Sequence, residues 1–160
     1  MPKLLMALIV ILSVILKVTL FRLIEFGSYK PDILLIIIVF FSIYEGSWTG
    51  AVLGFIGGLT EDILGSGFLG MFAVNKTLIG FALGIAGKHV YKINIYPYVL
   101  AVLAASFFQE CFIFFWLNIF QPYTSFFMSS LKHIILPLTV YNTLLSPLVV
   151  FGLRKIFKIR

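Results

Sequence analysis

The chain has 160 residues, of which 61% are hydrophobic and 11% charged, and its mean hydropathy is +1.12. So little polar surface excludes a water-soluble globule of this size and indicates an integral membrane protein. The formal net charge of +6 does not signal nucleic acid, because the basic residues gather at the ends of apolar segments and in the tail.

Six segments are apolar enough to cross a bilayer or to pack inside a bundle that does. The first, 4–23, imitates a signal peptide, since Lys3 precedes a 13-residue apolar run. No small-x-small cleavage pattern follows, and the apolar character resumes beyond Lys17, so a retained span is expected. The second, 32–44 ("DILLIIIVFFSIY"), is short against the roughly 20 residues a crossing needs. Tilt and local thinning tolerate such a mismatch, and Pro31 suits the first turn of a helix there. The remaining segments are 46–64, 69–87, 96–118 and 133–153. No connection between them exceeds about 14 residues and no internal repeat is visible, so residues 1–160 form one compact all-α membrane domain. Cys111, the only cysteine, lies in an apolar run, which excludes a disulfide within the chain and a cysteine metal site.

Six spans place both termini on one side. That side carries seven basic residues (Lys3, Lys88, Lys92, Arg154, Lys155, Lys158 and Arg160) against three opposite (Arg22, Lys30 and Lys132). The positive-inside rule then makes the termini cytoplasmic. Tyr29, Tyr44, Trp48, Tyr91, Tyr96, Trp116 and Tyr123 cluster near span ends, as interfacial aromatics do.

Gly46, Gly50, Gly54 and Gly58 repeat at four-residue steps along the third segment with Gly57 beside them, and Gly80 and Gly84 repeat the step on the fourth, with Gly87 close to the same face. Small residues let helix backbones approach closely in lipid, so these faces serve packing within the chain or docking of a partner helix.

Charges inside the spans are informative because they are costly there and normally pair or face the bundle interior. At about 1.5 Å per residue, Lys17 and Lys76 lie roughly 9 to 11 Å below the outer end, Glu110 about 12 Å and Asp62 about 3 Å. A flexible lysine stem brings Lys76 within reach of either Glu110 or Asp62. Ser106, Gln109 and Glu110 share a face at i, i+3, i+4, which Asn75 and Asn142 can join. The expectation is an outer-half cluster of Lys17, Asp62, Asn75, Lys76, Gln109 and Glu110, either a structural ion-pair network or a pocket for a polar ligand or a partner's side chain. Of the adjacent Glu61 and Asp62, one is expected to face water and the other the bundle, with "GSG" at 65–67 turning into the fourth segment.

No catalytic constellation is visible: His-Glu-x-x-His and Gly-x-Ser-x-Gly are absent, and Ser13 and Ser106 read as packing hydroxyls. His89 and His133 fall at opposite membrane faces, so no metal site and no cofactor are expected.

The stretches "KPDILLIIIVFFSIYEG" (Lys30 to Gly46) and "GFIGGLTEDILGSGFLGMFAVNKTLIGFALG" (Gly54 to Gly84) resemble the MreD family of bacterial rod-shape-determining membrane proteins. The matching positions are Pro31, Asp32, Gly54, Gly58, Leu59, Asp62, Gly67, Gly70, Lys76, Thr77, Gly80 and Gly84, and they cover about a third of the chain. The resemblance implies a non-catalytic inner-membrane scaffold of the lateral cell-wall elongation complex. Its implied partners are an MreC-like bitopic protein and, through it, MreB-like actin, a RodA-type glycosyltransferase and a class B penicillin-binding protein. The family also looks similar in architecture to the six-helix substrate-binding components of energy-coupling-factor transporters. That leaves a rival reading, a solute-binding component of such a transporter, with Trp116 and Gln109 as candidate ligand contacts.

Overall fold

A computed structural model describes residues 3–20, 31–65, 68–87, 94–120 and 127–157. It is all-helical over these residues: α1 (Lys3–Leu20), α2 (Ile33–Glu45), α3 (Ser47–Leu64), α4 (Met71–Ala86) and α5 (Tyr96–Phe120), then α6 (Phe127–Ser130), a π-helical segment (Leu131–Ile135) and α7 (Leu136–Ile156). The last three run on as one rod, so six helical rods are described. Two stretches, Tyr96–Ile119 and Leu131–Ile156, are long and apolar enough to cross a membrane. Residues 21–23 of the expected first segment, Tyr29, Tyr91, Tyr123, His89, Ser66, Gly67 and the basic residues Arg22, Lys30, Lys88, Lys92, Lys158 and Arg160 lie outside the described residues.

The shortest of the full-length rods is the axle of the bundle. Every residue of α2 from Leu34 to Ile43 is at most 5% exposed, and α1, α3, α4, α5 and α7 all pack against it. A helix that is apolar all round has nowhere to put a polar face, so it is stable only when enclosed. At about 1.5 Å per residue its 13 residues reach only about 20 Å, which suits an enclosed core element better than a lipid-facing span. Its start is set by Asp32, the N-cap, whose side chain accepts from the Leu35 N–H at 3.2 Å. Pro31 therefore precedes the cap instead of occupying the first turn, correcting the sequence expectation.

Gly46 is a corner and not a rung. It ends α2 and begins α3 with φ +102°, a left-handed value that L side chains rarely adopt, and a Cβ there would meet nothing within 4 Å. The rungs are Gly50, Gly54 and Gly58 on α3, and Gly80 and Gly84 on α4. A Cβ on Gly54 would strike the Lys76 carbonyl, one on Gly58 the Phe72 carbonyl, one on Gly80 the Gly50 carbonyl and one on Gly84 the Ser47 backbone. The pairs 50/80, 54/76 and 58/72 share one antiparallel register, so α3 and α4 lie backbone against backbone. Gly57 looks elsewhere, at Val10 of α1 and Leu34 of α2.

The final rod is irregular because of its prolines. Pro137 has no N–H for the His133 carbonyl, and just before it the helix widens, the Leu136 N–H reaching back five residues to the Leu131 carbonyl. Pro147 likewise leaves the Thr143 carbonyl without its helical donor, and the Ser146 hydroxyl supplies one at 2.8 Å.

Apart from α2, every full-length rod turns large apolar side chains outward. Leu8 and Leu12 do so on α1, Val52 and Phe55 on α3, Leu78 and Phe81 on α4, Leu100 and Leu103 on α5, and Leu144, Leu148 and Phe151 on α7. An outer surface this apolar suits lipid and not water.

Candidate functional site

The polar residues meet at one end of α1 to α4, and each of the six rods supplies a member. Lys17 comes from the last turn of α1, Asp32 from the cap of α2, Glu61 from the last turn of α3 and Lys76 from the second turn of α4. Gln109 and Ser106 come from α5 and Asn142 from α7. Periodicity explains why they face inward: Ser106 and Gln109, three apart, stay on one helix face, as do Lys76 and Gly80, four apart on the side that meets α3.

Asp32 is the hub. Its Oδ2 accepts from Lys76 Nζ at 2.7 Å and from Gln109 Nε2 at 2.9 Å, and its Oδ1 faces Lys17 Nζ at 3.2 Å while capping α2. Its backbone N–H donates to Asn142 Oδ1 at 2.8 Å, and Asn142 Nδ2 donates to Ser106 Oγ at 3.2 Å. Glu61 completes the charge balance by pairing with Lys17 through Oε1 and facing Lys76 Nζ at 3.0 Å through Oε2. Lys76 Nζ also donates to Gln109 Oε1 at 3.0 Å, so the ammonium makes two hydrogen bonds and faces Glu61 Oε2 as an ion-pair partner outside hydrogen-bond geometry. Both ammonium groups lie over the Phe72 ring, at 4.9 Å for Lys76 and 5.8 Å for Lys17.

Two cations and two carboxylates sum to zero. Lys76 is completely buried and Asp32 and Glu61 nearly so. Such a cluster is not a large source of stability, since desolvation offsets the attraction. Removing any one member, however, leaves an uncompensated buried charge.

Several sequence expectations are corrected here. Lys76 reaches neither Asp62 nor Glu110; its carboxylates are Asp32 and Glu61. Asp62 instead accepts the backbone N–H groups of Gly70 (3.0 Å), Phe72 (3.1 Å) and Ala73 (3.0 Å), capping the start of α4 from the end of α3. The residue in the cap position of α4 is Gly70, which has no side chain to do this. Neither Glu61 nor Asp62 faces water, at 6% and 4% exposure. Asn75 is buried and, among the described residues, donates only to the Gln109 carbonyl, at 3.4 Å. Glu110, one residue past Gln109 and so about 100° round the helix, leaves the network's face and lines a cavity between α5 and the π segment. The glycine face of α3 is filled by α4, which leaves it no room for a partner helix.

Sequence reasoning named Asp32 only among the positions that carry the family resemblance and undervalued Glu61. A count of charges calls for two anions beside the two lysines inside the spans but does not choose among the carboxylates, and Asp32 looks like only a helix cap until its second oxygen is considered.

The arrangement has no nucleophile beside a base, and its donors are directed at acceptors within the network itself. Among the described residues no group of three or more His, Cys, Asp or Glu side chains is placed to hold a metal ion. Comparison with known families shows that the profile of the family described as rod shape-determining protein MreD matches residues 1–160. No curated protein and no solved structure matches the chain.

Proposed function

Because the chain belongs to the MreD family of rod shape-determining proteins, we propose that it is a non-catalytic scaffold subunit of the bacterial lateral cell-wall elongation complex, holding an MreC-like bitopic membrane protein. Through that partner it acts with MreB-like actin, a RodA-type glycosyltransferase and a class B penicillin-binding protein. In this reading the six rods cross the inner membrane, both termini are cytoplasmic, and the arrangement is like that of the substrate-binding components of energy-coupling-factor transporters.

The observation that supports a scaffold best is the neutral network to which every rod contributes. Its polar groups are turned on one another and fix which helix sits beside which, the use of buried ion pairs that is best attested. A body whose shape is fixed in this way can hold a partner in a defined place without chemistry of its own.

The test is purification of the tagged full-length chain from its native membrane in mild detergent, with mass spectrometry of co-purifying proteins and small molecules. Stoichiometric recovery of a bitopic protein, together with rounding of rod cells when the chain is depleted, is the expected result. Recovery of a tightly bound small metabolite and an ATPase module, without a bitopic partner, would overturn it.

A further inference from the structure

α5 does not end where the network ends. Beyond Gln109 it continues about eleven residues, roughly 16 Å, alongside the π segment, while α3 stops at Leu64 and α4 begins at Met71. Between α5 and the π segment lies a cavity of about 190 Å³, walled by apolar Ile113, Phe114, Leu117, Ile134 and Ile135. Its polar lining consists of Glu110, Asn118 and Ser130.

All three present acceptors. Asn118 gives one Nδ2 hydrogen to the Phe114 carbonyl at 2.8 Å and keeps its Oδ1 to accept. Glu110 differs from Asp32 and Glu61, which pair with the lysines, and from Asp62, whose oxygens accept three backbone N–H groups: among the described residues no ion pair reaches it, and both network lysines are committed elsewhere. A carboxylate at such depth calls for a counter-charge or a proton. The wall opposite is the widened π turn, an irregularity often found at functional sites.

Size and charge limit the occupant. The cavity is far larger than a water and smaller than the roughly 300 to 1,000 Å³ of sites that enclose drug-sized ligands. None of its lining residues is basic, so a zwitterionic lipid headgroup would find a counter-charge for its ammonium and none for its phosphate. An apolar stem ending in one cation fits both requirements. We propose that this cavity receives a single lysine or arginine side chain from the membrane segment of the bitopic partner, with Glu110 as its counter-charge. The inference rests on the scaffold reading above.

To test it, the full-length chain carrying a photocrosslinking residue in place of Leu117 is co-expressed in membranes with its MreC-like partner. The expected product maps to a partner peptide with a lysine or arginine within one helical turn. Glu110→Lys should reduce that product about tenfold or more, and changing the mapped basic residue to Glu should restore it. Glu110→Gln, which keeps the shape if the lysine variant folds poorly, should give a smaller loss. Crosslinking to lipid alone, or a product indifferent to Glu110→Gln, overturns the inference while the partner still co-purifies and the scaffold reading stands. Failure of the unaltered chain to retain any bitopic partner overturns both.

Discussion

Asp32 shows how one side chain can hold two roles, since one carboxylate oxygen caps a helix and the other meets a buried lysine. Asp32→Asn and Lys76→Met should each lower stability by about 3 kcal/mol or more, because each strands a buried charge. The double variant should recover part of that loss, as a double-mutant cycle in a lipid–detergent unfolding assay will show. Asp62 and Lys76 should couple less strongly than Asp32 and Lys76, since they share Phe72 as a neighbour but do not pair. Asp62→Ala, which orphans three backbone donors, should cost about 1 to 3 kcal/mol, and Asp62→Asn less, because its amide oxygen still accepts. The members Lys17, Lys76 and Gln109 were legible because ionisable and amide side chains are conspicuous in apolar segments. Their partners were not, because depth along a helix orders residues by height and is silent on which helix stands beside which.

At the scale of elements, the four-residue glycine step was legible and its meeting surface was not. Gly50, Gly54, Gly58, Gly80 and Gly84 face one another across α3 and α4, where the obstacle to a Cβ is backbone that cannot swing away. Gly54→Ala should therefore lower the thermal midpoint in detergent by several degrees, although alanine is the better helix former. Gly152 of α7, where a Cβ would meet nothing within 4 Å, is the control. Gly152→Ala should leave stability unchanged or raise it by about 0.5 to 1 kcal/mol. Equal gains at both positions would show that helix propensity and not close approach governs them.

For the whole molecule, the burial of α2 makes a prediction about lipid access. With Cys111 first replaced by Ala, a cysteine at Ile36 should resist a lipid-soluble maleimide in intact membranes, while one at Leu144, 71% exposed, should label readily. Comparable labelling at both would remove α2 from the centre of the bundle. The same strategy tests orientation: a cysteine at Lys155 should react with an impermeant reagent only after the cytoplasmic face is opened, as the positive-inside reading requires.

Composition and periodicity by themselves marked the apolar helical character of this protein, the glycine steps and the costly charges, because each depends on residues near one another along the chain. The resemblance carried by its middle third named the family that the whole-chain match then showed. Only the tertiary structure decided that the most apolar helix is core and not a lipid-facing span, and that Asp32 and Glu61 neutralise the two lysines. It alone turned Asp62 to the start of α4 and left Glu110 on a cavity. The reason is physical: hydrophobicity does not distinguish lipid from protein interior, and a charge finds its partner in three dimensions, from helices far apart in sequence.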